Sequence, residues 1–257
     1  TQQNLVPFPL NLILIARRVH HWLIPKIYET IIIHENKDKG YPIKWDRVNL
    51  EQFGHFVQNL FIQASPSPAS SLLWLKPCPN VTNLSCWVHI SQDMMVTMSH
   101  LRLTYLSINP NTIQHPSPSL IEAFATVTHL DCLGHVDIAL GNIICFTSLT
   151  HIAVSRYNII ERPILPILFD RFPRLQAVIS LKVADSYERR VSVVEDFDPD
   201  SDDPRVVKIS FPLENGVGDW LEVVRHGRGI WGLADEAINS RRGAKGNMVR
   251  GNNPMKS

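Results

Sequence analysis

One short pattern recurs six times along the chain and constrains its fold more than any other feature. Each copy has an aliphatic residue, two free positions, a second aliphatic residue, one free position and a third small residue. The first residues of successive copies lie 24, 22, 24, 22 and 26 positions apart. The copies are Val57/Leu60/Ile62, Val81/Leu84/Cys86, Leu103/Leu106/Ile108, Val127/Leu130/Cys132, Leu149/Ile152/Val154 and a weaker one at Leu175/Val178/Ser180. A nearly constant spacing predicts one structural unit that is repeated and stacked on its neighbours.

The segments between the copies predict short helices. Three of them, "SQDMMVTMSH", "SPSLIEAFAT" and "RPILPILFDRF", begin with polar residues or proline and continue with apolar residues at helical spacing. Proline, at 18 of 257 residues, favours many short elements over a few long ones. The predicted unit is therefore a helix, a turn and a short strand, and stacked units would share one parallel sheet with the helices outside it.

The period and the pattern L-x-x-L-x-L resemble the leucine-rich repeat. The resemblance implies a short, curved α/β solenoid with a parallel sheet and with helices on its convex side. A doubly wound α/β domain is the alternative, because it also alternates strands and helices. Its strands are usually continuous apolar runs, whereas polar residues recur here at fixed places within the strands. We therefore favour the solenoid.

The N-terminal segment predicts a helix and then a strand. Apolar residues at helical spacing run from Leu10 to Trp22, Pro25 marks a break, and the β-branched run from Thr30 to Ile33 predicts a first strand. The order Ala-Arg-Arg-Val-x-x-Trp, then Pro, then Tyr-Glu-Thr, resembles the closing part of an F-box-like segment. Fungal F-box-like leucine-rich-repeat proteins share this arrangement.

The C-terminal segment resembles the same family. The family ends on a strand after Asp-Pro-Arg and on a helix with Trp-x-x-Ala-Asp/Glu, and here that helix carries Trp231, Ala234 and Asp235. The resemblance implies four regions. They are a partial F-box-like helix with the first strand (1–33), leucine-rich repeats (34–213), a C-terminal capping helix (214–242) and a disordered basic tail (243–257).

The resemblance also implies a function. It is that of a non-enzymatic subunit that recognises substrates for a cullin-RING ubiquitin ligase. Contacts with the adaptor subunit of that ligase would fall to Leu10, Leu14, Arg17 and Trp22. The first half of an F-box, with its Leu-Pro and early helices, is absent from this sequence or reduced to "LVPFPLNL". The alternative is a leucine-rich-repeat binding scaffold without a role in ubiquitin ligation.

The third, fifth and seventh positions of each copy are predicted to face outward on the concave side of the sheet, because side chains alternate along a strand. They form a polar and aromatic strip on the kind of surface with which solenoids bind proteins. We expect this face to be open and to contact a protein substrate. The residues predicted to make that contact are Asn83, Ser85, Trp87, Tyr105, Ser107, Asn109, His129, Asp131, His151 and Ser155.

The same strip allows a chemical alternative. His129, Asp131 and His151 on adjacent strands could form a metal set, and Ser107 beside them could serve as a nucleophile. An open face has no pocket to exclude water, and no glycines for an oxyanion hole lie nearby. We therefore predict partner contact, with no catalytic residues and no metal. The phosphate-binding motifs G-x-x-x-x-G-K-[ST] and G-x-G-x-x-G do not occur, so no cofactor is expected.

Composition limits the class of partner. A net charge of +1 gives no global field for nucleic acid or for a membrane surface, so neither is expected as a partner. No apolar run reaches the roughly 20 residues of a membrane span. The four cysteines form no C-x-x-C pair, which favours a reduced, intracellular protein of the cytoplasm or nucleus.

Overall fold

A computed structural model of the chain describes residues 8–33, 49–63, 68–113, 116–132, 143, 145–155, 164–183, 193–195, 203–211 and 216–251. The described strands are β1 Thr30–Ile33, β2 Asn59–Ile62, β3 Asn83–Cys86, β4 Tyr105–Ile108, β5 His129–Cys132, β6 His151–Ser155, β7 Ala177–Val183, β8 Val193–Val194 and β9 Val206–Phe211. The described helices are α1 Phe8–Tyr28, α2 Leu50–Phe53, α3 Pro68–Leu75, α4 Gln92–Met98, α5 Pro118–Phe124, α6 Ile164–Arg171, α7 Gly216–His226 and α8 Gly229–Gly251. Two 3₁₀ turns lie at Gly54–Phe56 and Pro110–Thr112.

The described strands form one sheet in the order β1-β2-β3-β4-β5-β6-β7-β9-β8. Eight of them are parallel, and only the short β8 pairs antiparallel, with β9. The predicted α/β class is therefore confirmed. Strands β2 to β7 each begin at the third position of one copy of the pattern, so the copies align in space as they do in sequence. Asn83, Tyr105, His129 and His151 are direct neighbours across β3, β4, β5 and β6.

The aliphatic residues of the pattern form the main core. From Val57 to Val178 they are all nearly inaccessible to solvent, and only the weaker Ser180 is half-buried. Apolar side chains of the intervening helices cover them, among them Met94 of α4, Phe124 of α5 and Leu168 of α6. Since a short strand and a short helix cannot bury their own apolar sides, each unit depends on its neighbours for a core.

Capping residues fix where two of these helices begin. Ser91 accepts a hydrogen bond from the backbone N–H of Met94 at the start of α4, and Ser117 accepts one from Leu120 at the start of α5. Pro118 occupies the first turn of α5, where its missing N–H costs no helical hydrogen bond. The three helices predicted from "SQDMMVTMSH", "SPSLIEAFAT" and "RPILPILFDRF" are therefore confirmed as α4, α5 and α6.

Both termini differ from prediction. The helix predicted to end before Pro25 continues through it to Tyr28. Proline removes one helical hydrogen bond, and the carbonyl left over belongs to His21, an exposed residue whose backbone water can reach. At the other end, two helices occupy the region where one capping helix was predicted. α8 runs on through 243–251, which was predicted to be disordered, and residues 252–257 lie outside the described part of the chain.

Candidate partner-binding surface

The third and fifth positions of the copies share one side of the sheet, opposite the main core, and we call this side the polar face. The expectation that it is open is wrong over much of its extent, because α7 and α8 pack against it. Ser85, Ser107 and His151 are consequently buried. Towards β7 and β9 this face becomes apolar, with Ala153 and Ile179 among its residues, and an exposed apolar face requires a cover. The side chains of α8 that provide this cover are Trp231, Ala234 and Ile238.

Three rings stack along neighbouring strands of the polar face. The centroids of Tyr105 and His129 are 4.2 Å apart, and those of His129 and His151 are 4.3 Å apart with nearly parallel planes. These distances follow from the spacing of about 4.8 Å between hydrogen-bonded strands. Trp231 meets both histidines edge-on, at 5.2 and 6.1 Å between centroids. The stack is therefore a docking platform for α8.

Threonines orient the two histidines. Thr128 and Thr150 donate their hydroxyl hydrogens to backbone carbonyls of the preceding copies, at 3.2 and 3.0 Å. Each hydroxyl oxygen lies 2.9 or 2.8 Å from Nδ1 of the histidine that follows it. Nδ1 is therefore held against the threonine hydroxyl, and Nε2 lies on the far side of the ring, facing away from the strand. This geometry explains why a Thr-His pair recurs in two successive copies.

His151 connects the sheet to α8. Its Nε2 lies 3.1 Å from Oδ1 of Asp235, and the histidine side chain is 7% exposed whereas the aspartate is 53% exposed. Burial and the neighbouring His151 lower the pKa of His129 to about 3, so His129 is neutral near pH 7. Asp235 was singled out in the sequence only as part of a terminal motif. Its partner is 84 residues away, and no spacing rule indicates such a contact.

Asp131 lies at the end of a short hydrogen-bonded chain. Trp87 donates from Nε1 to Oγ of Ser107 at 3.1 Å, and Ser107 donates to Oδ2 of Asp131 at 2.7 Å. The other carboxyl oxygen of Asp131 is buried and has no hydrogen-bond partner among the described residues. Burial raises the pKa of Asp131 to about 6, and the hydrogen bond from Ser107 opposes this rise.

These contacts form neither the metal-binding set nor the serine nucleophile that the sequence allowed. Ser107 is bound to Asp131 and not to a histidine, whereas a nucleophilic serine needs a base as its direct partner. His151 points at Asp235, and the two histidine rings lie face to face instead of converging on a point. Within the described ranges, no group of three or more His, Cys, Asp or Glu residues could hold a metal ion.

A second, half-buried carboxylate lies on α7, at Asp219. Asp219 lies in the first turn of α7 and is near enough to Asp131 and Glu222 for their charges to interact. Burial is the main cause that raises the pKa of Asp219 to about 7. A hydrogen bond from the backbone of Ile230 opposes the rise, and the two neighbouring carboxylates add to it. Burial therefore favours the protonated form of both acids.

Stability should consequently fall as the pH rises. The pKa values of Asp131 and Asp219 lie above the unfolded value of 3.8, so their contribution is complete below about pH 4 and is lost through pH 6 to 7. One pKa unit corresponds to about 1.4 kcal/mol. We expect Asp219→Asn to raise the free energy of unfolding at pH 8 by more than about 1 kcal/mol and to flatten its decline between pH 5 and 8. Urea titrations across this range measure both effects, with the exposed Asp170→Asn as control. An unchanged decline in Asp219→Asn would contradict the assignment.

The remaining predicted contact residues have different surroundings. Asn83 is half-buried and donates to Oδ1 of Asn59 at 2.5 Å. Asn109 caps the turn that follows β4 by accepting a hydrogen bond from the backbone of Asn111 at 3.0 Å. Trp87 and Tyr105 are half-buried, and Ser155 ends β6. None of these positions is tested as a partner contact, and all remain predictions.

The predicted adaptor contacts all lie on α1. Arg17 is exposed, and Trp22 is 72% exposed. Leu10 and Leu14 belong to the same helix, but their side chains lie outside the described part of the structure. Val19, Leu23 and Ile27 are also exposed and lie on one helix face because they are four residues apart, and Trp22 borders that face three residues after Val19. Of these exposed apolar residues, only Trp22 was among the adaptor contacts predicted from the sequence.

None of the helices in the described residues is both long and apolar enough to cross a membrane. Comparison of the sequence with protein-family models and with curated proteins finds no match in either.

Proposed function

We propose that this protein is a non-enzymatic, intracellular recognition module built as a leucine-rich-repeat solenoid. The strand order supports this proposal. From β1 to β7 every strand pairs with the next one along the chain, in the same register and in parallel. A doubly wound sheet would reverse its strand order at a switch point. Repeat proteins stack one unit on the next without reversal and commonly bind proteins on the sheet surface.

The exposed face of α1 is the observation that carries the second part of the proposal, attachment to a cullin-RING ligase. Val19, Trp22, Leu23 and Ile27 are 40%, 72%, 50% and 54% exposed and lie on one side of the helix. The end of α1 packs on the body, where the rings of Tyr28 and Phe53 are 4.6 Å apart. An exposed apolar helix face of this kind marks a protein-binding surface. By resemblance to F-box-like segments, its partner would be the adaptor subunit.

Binding to the purified adaptor subunit tests this function. We expect the double variant Trp22→Ala/Leu23→Ala to weaken binding at least about tenfold, because a buried aromatic anchor at an interface contributes more than about 1.4 kcal/mol. Leu73→Ala on α3 is the matched control, since Leu73 is 71% exposed but lies on another helix. It should bind as the native chain does. Failure of the native chain to bind the adaptor would reject the ligase role and leave the alternative of a binding scaffold.

A further inference from the structure

The two C-terminal helices cover chemically different parts of the polar face. α8 lies on the apolar part, where Trp231, Ala234 and Ile238 pack with side chains of β6, β7 and β9. It is also tied to the sheet by Arg241, which donates from Nη1 to the backbone carbonyl of Val206 at 2.7 Å. In these contacts apolar side chains of α8 meet apolar side chains of the sheet, and the hydrogen-bond donor of Arg241 meets a backbone acceptor. α8 is therefore an integral part of the fold.

α7 lies on the part of the face formed by Phe61, Ser85, Trp87, Ser107 and Asp131, which we call the α7 groove. The apolar contacts here are good. Trp220 packs 5.3 Å from Phe61 between ring centroids, and Phe61 packs 5.1 Å from Trp87. Gly216 starts the helix against Trp87, and a Cβ atom built there would lie 2.3 Å from the indole ring. The groove thus accepts an amphipathic helix with an aromatic residue near its start.

The polar contacts between α7 and the groove are poor. Oγ of Ser85 and Oδ1 of Asp131 are buried without hydrogen-bond partners among the described residues. An unpartnered buried polar group costs about 1–3 kcal/mol. Asp219 of α7, whose Oδ2 accepts from the backbone N–H of Ile230 at 3.5 Å, is also near enough to Asp131 for their like charges to repel when both are ionised. The described part of the groove therefore offers no donor to Oδ1 of Asp131.

Gly227 directly follows α7, and Gly229 is the first residue of α8. Gly227 and Gly229 have φ angles of 64° and 67°, in the left-handed region that other residues rarely adopt. The backbone N–H of Gly227 closes α7 by donating to the carbonyl of Val223 at 2.8 Å. Short glycine-containing links of this type can absorb the φ and ψ changes of a hinge. α7 can thus leave the groove while Trp231, Ala234 and Ile238 keep α8 on the sheet, at the loss of the contacts that α8 makes with Val223 and Asp219 of α7.

We propose that α7 is an autoinhibitory cover of the α7 groove, and that the groove binds a partner helix carrying an aromatic residue in the place of Trp220 and a Lys or Arg in the place of Asp219. This inference rests on the proposed recognition function and names the partner chemistry of that surface. A cationic side chain would donate to the unpartnered oxygen of Asp131 and would replace a repulsive pair by an attractive one. The native α7 is therefore a weaker ligand for its own groove than such a partner.

Competition between α7 and peptides tests this proposal. Three fluorescent peptides with the sequence of residues 216–226 are used, one native, one with Asp219→Lys, and one with Asp219→Lys and Trp220→Ala. They are titrated by anisotropy into the full chain carrying Trp220→Ala, which loosens α7. We expect the Asp219→Lys peptide to bind at least about tenfold more tightly than the native peptide, which corresponds to about 1.4 kcal/mol. The peptide without the tryptophan should bind weakly, and the chain with native α7 should bind all three less tightly.

Two further variants make the result decisive. Adding Asp131→Asn should reduce the preference for the lysine peptide to less than about threefold, because the carboxylate that attracts it is gone. If Trp220→Ala does not fold, Val217→Ala removes a smaller buried contact of α7 and replaces it in the assay. Equal binding of the lysine and native peptides, or no binding of either, overturns the proposal. A preference that survives Asp131→Asn overturns it too. Adaptor binding through α1 is measured on the same preparations, so failure of the ligase role is seen separately.

Discussion

Replacing Trp231 by alanine should lower the free energy of unfolding by about 3–5 kcal/mol, the range for removing a large buried aromatic side chain. Trp231 is 6% exposed and contacts both stacked histidines as well as the apolar residues of β6 and β7. Its loss would leave a cavity between α8 and the sheet and would expose the apolar part of the polar face. Urea unfolding followed by circular dichroism measures the change.

Trp22→Ala is the matched control for this experiment. The same atoms are removed, but Trp22 is 72% exposed on α1, so its removal should change stability by less than about 0.5 kcal/mol. The comparison separates burial under α8 from the chemistry of tryptophan itself. Similar small losses in both variants would mean that α8 does not cover the polar face in solution.

The regularity of the sequence accounts for most of the sheet. Each copy places its fourth and sixth residues on one side of a short strand and its buried first residue just before that strand, and β2 to β7 begin where the copies predict. Such local periodicity is readable because side-chain direction follows the position along the strand. Pro25 shows the limit of local rules. It predicted a helix end, but an exposed helix tolerates the missing hydrogen bond and continues to Tyr28.

The cover of the polar face could not be predicted in the same way. The hydrogen bond between His151 and Asp235 and the charge interaction between Asp131 and Asp219 join residues far apart in the sequence, and no spacing encodes them. One signal was available, however. Ala153, Ala177 and Ile179 are apolar at positions expected to face solvent, while Trp231, Ala234 and Ile238 recur at helical spacing. Together they indicate a helix packed on that part of the face.

The cover also changes how the predicted contact residues can act. Ser107 and Asp131 are engaged beneath α7, and His151 is engaged beneath α8. A partner at the α7 groove has to displace α7 first, so its apparent affinity is lowered by the fraction of molecules in which α7 is docked. Since the two acids favour docking when they are protonated, the groove becomes more accessible as the pH rises through 6 to 7.

Leu130→Ala should lower the free energy of unfolding by about 2–5 kcal/mol, because it removes a fully buried side chain from the middle of the main core. Leu130 lies between Leu106 and Ile152 in the register of β4, β5 and β6. Each of these strands is held by its neighbours, so the backbone has little freedom to close the cavity, and a value in the upper half of the range is expected. Leu73→Ala provides the same substitution at a site 71% exposed and should change stability by less than about 0.5 kcal/mol. A loss below about 1 kcal/mol for Leu130→Ala would contradict the stacked core, since burial in register is what gives this position its effect.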